Sequence, residues 1–398
     1  MTNLPQGWEV KKLEEIANIK GGKRLPKGEN LLDNNTKFAY IRVADFQDNG
    51  TINLQNIKFI NENTCNVLKN YKIYDDNLYI SIAGTIGKSG IIPKELNGAI
   101  LTENAVKLEY IQNNISNKFM YFFTLSNIFK TQIQTSTKIV AQPKLAITRL
   151  KQIQIPLPPL KEQERIVGIL DESFAKIDES IKILEQDLLN LDELMQSALQ
   201  KAFNPLKDNA KENYKLPQSW EWKSLEEISE NISAGGDKPK NCTESKTAKN
   251  QIPVYANGVN NNGLVGYTDK ATIIKPSLTI SARGTIGFVC IRKEPYFPIV
   301  RLISLIPCEN ILCLHYLYFC LNFFIAKGEG SSIPQLTIPK FKSLQIPLPP
   351  LKEQEQIAEH LDFVFEKAKA LKELYTKELK DYEELKQSLL DKAFKGEL

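Results

Sequence analysis

The sequence predicts an α+β protein in which two pseudo-twofold-related globular domains are separated by two long helices that form an antiparallel coiled coil. Three observations lead to this fold class. The segment "IPLPPLKEQE" occurs twice without a change, at residues 155–164 and 346–355. Each copy is followed by a long, nearly Pro-free segment with apolar residues at helical spacing. Other landmarks recur in the same order in both halves of the 398-residue chain, which indicates a duplication.

The globular part of each half opens and turns in the same way. "LPQGWEVKKLEEI" at residues 4–16 returns as "LPQSWEWKSLEEI" at 216–228, and "ISIAGTIG" at 80–87 returns as "ISARGTIG" at 280–287. Short apolar runs alternate with Gly, Asn and Pro, as is typical of short strands and turns. A helix is expected at residues 117–130. These features predict two α+β domains, at residues 1–155 and 206–345.

The segments after the proline turn, within residues 156–205 and 346–398, are predicted to be helices that begin at the turn. Residues 161–203 contain no Pro and a single Gly, and at about 1.5 Å per residue such a helix is roughly 65 Å long. The prolines suit a helix first turn, and Asn204, Pro205 and Gly396 are predicted stop signals.

Apolar residues repeat along both helices at alternating spacings of three and four, the pattern of a coiled coil. In the second helix Lys372 and Lys386 stand where the first has Ile181 and Met195, so the apolar series there includes Leu371 and Leu385 and is less regular. The alternative of two separate amphipathic helices is disfavoured because each apolar stripe is longer than the stretch that its own globular domain could cover. The predicted interface positions are Leu170, Phe174, Ile177, Ile181, Leu184, Leu188, Leu191 and Met195, with Leu361, Phe365, Ala368, Tyr375, Leu379, Tyr382 and Leu389.

Charge is distributed unevenly along the chain. The net charge is −5 over residues 161–203 and −2 over residues 352–395, which leaves +11 on the rest of a chain whose total is +4. Basic domains are typical of nucleic-acid binding, although a solvated basic surface is the plainer alternative. Two basic domains held apart by helices would contact two separate stretches of one DNA duplex.

Candidate DNA contacts are basic or amide side chains beside glycine-rich or turn segments, which could enter a groove. A solvated surface position is the alternative for each. The candidates are Lys23, Arg24, Arg42 and Lys88 in the first domain, and Lys238, Asn257, Asn260 and Arg283 in the second.

Catalytic and metal motifs fail on inspection. "IAGTIGKS" at residues 82–89 resembles a phosphate-binding loop, but Ile82 replaces its first glycine and the second copy lacks the Lys and Ser. Cys308, Cys313, His315 and Cys320 form a loose set inside an apolar segment whose counterpart has neither Cys nor His, so core packing is the better interpretation. The chain has two histidines and no adenine-methyltransferase tetrapeptide. These absences favour a protein that recognises DNA over an enzyme.

The N-terminus has no signal-peptide pattern, and the longest apolar run, at residues 311–326, is interrupted by His315 and Asn322. Six cysteines without CxxC spacing are expected to be reduced thiols. We therefore expect a cytoplasmic protein without a membrane partner.

The full set of landmarks resembles the DNA specificity subunit of type I restriction–modification systems. The proline turn followed by a long helix ending in "KAF", the "LPQGW" and "LPQSW" openings and both "GTIG" turns carry the resemblance over essentially the whole chain. It implies target recognition domains at 1–155 and 206–345, each reading one half of a split double-stranded DNA site. It also implies a central helix at 156–205 and a C-terminal helix at 346–398 that pair antiparallel.

The same resemblance implies partners and cofactors. Two methyltransferase subunits, which hold S-adenosylmethionine and methylate adenine N6, would dock on the helices and adjoining surfaces. Two restriction subunits that use ATP and Mg²⁺ would complete the nuclease, and no cofactor would bind this chain. A stand-alone coiled-coil DNA-binding regulator or architectural protein is the alternative, and a fused enzyme is a third class that the missing motifs disfavour.

Overall fold

The computed structural model describes residues 4–34, 36–137, 144–203, 216–325 and 336–398. The chain divides into two compact units, residues 1–184 with 377–398, and residues 185–376. Each unit contains one globular domain and parts of both long helices. The predicted stop signal at Asn204 and Pro205 lies outside the described residues.

The first globular domain is rich in short strands. Its helices are α1 (Leu13–Ile16), α3 (Asn117–Leu125), α4 (Asn127–Thr137) and α5 (Ile147–Lys151), with α2 at Glu62–Val67. Its strands are β1 (Glu9–Lys12), β2 (Ala17–Gly21), β3 (Ala39–Ile41), β4 (Lys58–Phe59), β5 (Lys72–Ile73), β6 (Leu78–Ser81), β7 (Ser89–Ile91), β8 (Ala99–Leu101), β9 (Ala105–Tyr110) and β10 (Gln154–Leu157).

Three sheets form this domain: β2-β9-β6-β7, β4-β3-β8-β5 and the pair β1-β10. All pairings are antiparallel except β3 with β8. Phe119, Met120 and Phe123 of α3 are buried in one core with Leu78 and Leu108 of the sheet β2-β9-β6-β7. The helix predicted at 117–130 is therefore present as α3 and α4, which are separated at Ser126.

The second globular domain repeats this plan with fewer helices. The described helices are α7 (Leu225–Ile228), α8 (Leu314–Phe324) and α9 (Ile338–Lys342). The strands are β11 (Glu221–Ser224), β12 (Ser229–Ala234), β13 (Ile252–Tyr255), β14 (Leu264–Thr268), β15 (Ser277–Ile280), β16 (Val289–Arg292), β17 (Phe297–Pro298), β18 (Ile303–Pro307) and β19 (Gln345–Leu348).

The strand order of the second domain matches that of the first. Sheet β12-β18-β15-β16 corresponds to β2-β9-β6-β7, the three-stranded sheet β14-β13-β17 keeps in β13 and β17 the parallel pairing of β3 with β8, and β11-β19 corresponds to β1-β10. The register agrees as well, since Ile80 opposes Val106 and Ile280 opposes Ile303. The duplication seen in the sequence is a duplication of topology.

Two long helices follow the domains, α6 (Leu160–Phe203) and α10 (Leu351–Lys395). Both prolines precede the helix, a small correction to the first-turn prediction: the Pro159 carbonyl accepts from the backbone N–H groups of Glu162 and Gln163, as an N-cap carbonyl does. Helix α10 ends at the predicted Gly396, which has φ +75° and lets the N–H of Glu397 reach the Lys392 carbonyl at 2.9 Å.

The predicted apolar stripe of α6 is buried or half-buried along its whole length. Leu170, Ile177, Leu184 and Leu191 are buried, and the alternate positions Phe174, Ile181, Leu188 and Met195 are half-buried. This heptad alternation is the pattern of a helix packed on a second helix. The fold-class prediction of two long helices in contact is confirmed.

The stripe of α10 corrects one detail of the prediction. Leu371 and Leu385 are exposed, whereas Lys372 and Lys386 occupy the inward positions and are half-buried. Within one unit the Lys386 ammonium pairs with the Asp178 carboxylate of α6, and within the other Lys372 pairs with Asp192. The acidic partner advances along α6 from Asp178 to Asp192, while the lysine goes back along α10 by the same number of residues, from Lys386 to Lys372. The two helices therefore pair antiparallel.

The "KAF" phenylalanines anchor the ends of the helices in the globular domains. Phe394 of α10 packs against Phe119 and Phe123, with ring centroids 5.1 and 5.5 Å apart. Phe203 of α6 packs against Tyr316 and Phe323 at 5.5 and 5.7 Å. Each domain thus holds the helix that follows it and the end of the other repeat's helix.

The apolar segment around residues 311–325 is core material. Its helix α8 buries Tyr316, Leu317 and Phe319 in the second domain. None of the helices in the described ranges combines the length and apolar character of a membrane span. All six cysteines are free thiols, with Cys65 and Cys320 buried.

Candidate nucleic-acid interface

Four turns meet at one edge of the second domain: residues 235–238, 257–263, 281–287 and 299–302. The backbone N–H groups of Val300 and Arg301 donate to the carbonyls of Gly236 and Gly235, both at 2.8 Å. A Cβ at Gly235 would lie 2.6 Å from the Ile299 nitrogen, so only glycine permits this approach. The first and last turns are therefore locked together.

Asn257 joins the other turns to them. Its side-chain oxygen accepts from the Ala282 N–H at 2.8 Å, and its side-chain nitrogen donates to the Val300 carbonyl at 2.7 Å. The N–H of Gly258 also donates to the Ser281 hydroxyl at 3.2 Å. The Asn257 amide that was predicted to contact DNA is thus engaged within the protein.

The buried Arg292 holds the asparagine-rich turn at residues 260–263. The Arg292 guanidinium lies 3.6 Å from the ring centroid of Tyr255, donates to the Thr279 hydroxyl at 3.0 Å and donates to the Asn262 carbonyl. Asn261 and Asn262 adopt left-handed conformations, at φ 47° and 52°, which asparagine tolerates better than most residues. The turn is held in one conformation with Asn260 exposed at its start.

Three predicted residues of this domain lie exposed on these turns: Lys238, Asn260 and Arg283. Arg283 follows Ala282, whose backbone Asn257 holds, and its side chain has further interactions within the protein. The structure therefore brings the four predicted residues of the second domain to one edge, with Asn257 as the connector.

The first domain forms a similar edge around residues 101–104. The N–H of Gly22 donates to the Ala105 carbonyl and that of Lys23 donates to the Leu101 carbonyl, both at 2.9 Å. A Cβ at Gly22 would lie 2.1 Å from the Thr102 carbonyl oxygen. Lys23 is exposed beside this contact, and its ammonium lies 5.9 Å from the ring centroid of Tyr71.

Arg24 is exposed although it is paired. Its Nε lies 2.8 Å from the Glu103 carboxylate, and its side chain is 80% exposed. Burial acts to raise the pKa of Glu103, and the hydrogen bond from Arg24 and other hydrogen bonds more than offset it, so this pKa lies below its ordinary value. Such an exposed pair contributes little to stability.

Arg42 has a different environment. Its guanidinium contacts both oxygens of the buried Asp45, at 2.5 and 3.1 Å, and donates to the Asn56 carbonyl at 2.9 Å. The hydrogen bond to Asp45 raises the pKa of Arg42. This bidentate pair fixes the turn after β3, whose Ile41 carbonyl accepts from the Thr102 N–H.

Lys88 lies at the end of the "GTIG" turn, where its ammonium pairs with the exposed Asp48 at 2.8 Å. The turn itself has the same hydrogen bonds in both domains: Gly87 N–H to the Ser81 carbonyl, and Gly287 N–H to the Ser281 carbonyl. "GTIGKS" is therefore a hairpin turn between β6 and β7, as the sequence comparison favoured over a nucleotide-binding loop.

Sequence reasoning missed the residues that act through the backbone. Gln163 and Gln354 of the repeated "KEQE" are buried, and their side-chain amides hydrogen-bond to backbone groups of the globular domains. Exact repetition of the segment was the sequence signal for these two residues. Arg292 and Arg301 gave no sequence signal, because neither lies in a repeated or glycine-rich segment. In the described part of the chain, no three His, Cys, Asp or Glu side chains gather as a metal-binding group. His315 instead contacts Asp362 at 2.6 Å.

The family model for the type I restriction modification DNA specificity domain matches residues 5–188 and again residues 217–380, once per repeat. The chain belongs to this family. It is the DNA specificity subunit of a type I restriction–modification system, which assembles with methyltransferase and restriction subunits. Specificity subunits of this family are non-catalytic and carry no cofactor, and their partner subunits perform methylation and cleavage.

Several relatives agree with this assignment. The specificity subunit is 29% identical over 357 residues to a Mycoplasma pneumoniae protein designated a type I specificity subunit, covering 88% of this chain and 87% of that one. It is 23% identical over 436 residues to the StySPI specificity subunit of Salmonella potsdam, covering 99% and 90%. It is 29% identical over 205 residues to the EcoBI specificity subunit of Escherichia coli, covering 50% and 42%.

Solved structures share the fold of the specificity subunit. A chain from a type I restriction–modification system, solved in work on complex assembly and conformational transition, superposes with a TM-score of 0.83 at 20% identity, with both chains fully covered. The HsdS subunit of Thermoanaerobacter tengcongensis superposes with a TM-score of 0.63 at 21% identity, covering 100% of this chain and 98% of that one.

Proposed function

We propose that each globular domain reads one half of a split double-stranded DNA site and that the paired helices fix the undefined gap between the halves. The recognition domains would comprise residues 1–155 and 206–345, and the spacer helices residues 156–205 and 346–398. The observation that carries this proposal is the repeated edge of interlocked turns. Both domains build it on the same strand order, with different exposed side chains on it.

The chemistry of these edges suits DNA. Lys23, Arg24 and Lys88 in the first domain, and Lys238, Asn260 and Arg283 in the second, would contact phosphates or base edges. Arg42 and Asn257 would act by positioning, because their polar atoms already hold neighbouring turns. Two interlocked edges of different composition would read two different half-sites.

The partners in the proposed complex are two methyltransferase subunits and two restriction subunits. Pseudo-twofold repetition supports the number, because each repeat of the chain offers an equivalent surface to one copy of a partner. S-adenosylmethionine, ATP and Mg²⁺ would be held by those partners, and the complex would work in the cytoplasm. Co-expression followed by native mass spectrometry of the complex measures the stoichiometry, and a single methyltransferase copy at saturation would contradict it.

Exchange of one domain tests the division of labour. Residues 1–155 are replaced by the corresponding domain of another specificity subunit, and the chimera is co-expressed with the methyltransferase subunit in a host without DNA methylation. The expected N6-methyladenine map shows one changed half-site, an unchanged second half-site and an unchanged gap. A map in which both halves change would contradict independent reading by the two domains.

A further inference from the structure

We propose that Arg301 reads a base edge in the half-site of the second domain and that a strained turn holds it in place for this purpose. This inference rests on the proposed function of the interlocked edge, and it adds a specificity residue that the sequence did not indicate. The turn consists of residues 299–302, which connect β17 to β18.

Two consecutive residues of this connection have left-handed backbones. Val300 has φ 55° and Arg301 has φ 60°. A left-handed conformation is unusual for a residue other than glycine and is a true outlier for a β-branched residue. The Val300 side chain is 51% exposed, so burial of this side chain does not compensate for the strain. Strain of this kind concentrates at binding sites, where surrounding contacts enforce one conformation.

Surrounding contacts do enforce this conformation. The carbonyls of Gly235 and Gly236 accept hydrogen bonds from the N–H groups of the two left-handed residues. The Asn257 side chain donates to the Val300 carbonyl, and the Leu302 N–H donates to the Ile299 carbonyl at 3.1 Å. The next residues enter the buried strand β18. The turn is thus fixed from several directions while the Arg301 side chain stays exposed. A fixed base beneath an exposed guanidinium reduces the entropy that binding must overcome.

The first domain presents an arginine at the corresponding junction by another route. There the connection at residues 101–104 carries Glu103, and the exposed Arg24 reaches it from the glycine turn. In the second domain the glycine turn carries Asp237 and Lys238, and the arginine comes from the return connection. The side chains on this edge include an acid as well as bases, which suits selective base contacts better than uniform phosphate attraction. An arginine fork pairs two-pronged with guanine.

Arg301→Ala and Arg301→Lys are tested in the specificity subunit co-expressed with its methyltransferase subunit in a methylation-free host. The readout is the N6-methyladenine map, supported by binding to duplexes altered at one base pair at a time. We expect discrimination at one position of one half-site to fall roughly 5- to 150-fold in both variants, because lysine lacks the fork. Lys293→Ala, at the opposite end of β16 from the "GTIG" turn, is the control and should leave the map unchanged.

The possible outcomes distinguish a failure of this inference from a failure of the proposed function. A wild-type map without a split motif overturns the proposed function, whereas a split motif that stays the same in Arg301→Ala overturns only this inference. Uniformly weaker methylation with an unchanged motif, restored by Arg301→Lys, identifies a phosphate contact and also overturns base reading. If Arg301→Ala fails to assemble, Arg301→Lys alone decides by the same criterion, since a relaxed position supports the inference and an unchanged motif overturns it.

Discussion

The side-chain oxygen of Gln163 accepts a hydrogen bond from the backbone N–H of Ser116 at 2.8 Å. The side-chain nitrogen of the same glutamine donates to the carbonyls of Asn114 and Pro158, at 3.1 and 2.9 Å. Gln163 lies in the first turn of α6, and Ser116 is the N-cap of α3. One buried amide therefore ties the proline turn, the spacer helix and the globular domain together.

The second repeat has the same arrangement. Gln354 accepts from the Cys313 N–H at 2.9 Å, and it donates to the carbonyls of Ile311 and Pro349 at 2.9 and 2.8 Å. This explains why "IPLPPLKEQE" is repeated without change. The segment sets the direction in which each helix leaves its domain, and its glutamine supplies the hydrogen bonds for that junction.

Gln163→Ala is expected to destabilise the protein by at least about 2 kcal/mol, because it leaves buried backbone groups without partners. The unfolding midpoint measures the loss, and hydrogen exchange at the start of α3 should accelerate. The matched control is Gln186→Ala on the exposed face of α6, with an expected effect within about 0.5 kcal/mol. Equal effects of the two substitutions would show that the junction does not depend on this amide.

Phe394→Ala is expected to cost about 3–5 kcal/mol, since the ring is 1% exposed and packs on Phe119 and Phe123. Phe203→Ala should behave alike at the other end of the helix pair. Phe363, which is 61% exposed on α10, provides the control, and its replacement by Ala should change the unfolding free energy by less than about 0.5 kcal/mol. A small loss for Phe394→Ala would mean that the helix end is not anchored in the domain.

The ion pair of Lys386 and Asp178 is expected to help fix the helix register. Lys386→Glu should lower the unfolding midpoint, and the exchanged pair Lys386→Glu with Asp178→Lys should recover most of it. A coupling free energy of about 0.5–1 kcal/mol is expected from the double-mutant cycle, because the Asp178 side chain is largely exposed. The coupling should shrink in high salt. No recovery in the exchanged pair would contradict a role for this contact.

Val300→Gly is expected to raise the unfolding free energy by up to about 1 kcal/mol, because glycine adopts φ 55° without the strain that valine has there. Val259→Gly is a matched control at negative φ, where glycine should instead destabilise. A Val300→Gly variant that is less stable than wild type would contradict the assignment of strain.

The sequence predicts the duplicated domains and the paired long helices but not the contacts of the interlocked edges, for physical reasons. Duplicated landmarks and heptad spacing depend on local pattern, so Leu170, Ile177 and Gly396 could be assigned from the sequence alone. Lys372 and Lys386 were recognised as exceptions, but their partners Asp192 and Asp178 come from the opposite helix and have no sequence signature.

The edge of interlocked turns depends on contacts between turns that are distant in the sequence. The sequence makes Asn257 a candidate DNA contact, and only the positions of Ala282 and Val300 show that its amide is engaged within the protein. Arg42 was selected for its charge, whereas the buried Asp45 holds its guanidinium. The sequence does not single out Arg301, because neighbouring turns impose the left-handed backbone at Val300 and Arg301 and no glycine marks it.

The most direct test of split-site recognition is a map of N6-methyladenine in a host without DNA methylation that expresses this specificity subunit with its methyltransferase subunit. Reading by two separate domains predicts methylation confined to one motif with two short defined halves around a gap of fixed length and undefined sequence. A single continuous motif, or methylation without sequence preference by a stable complex, would contradict reading by two separate domains.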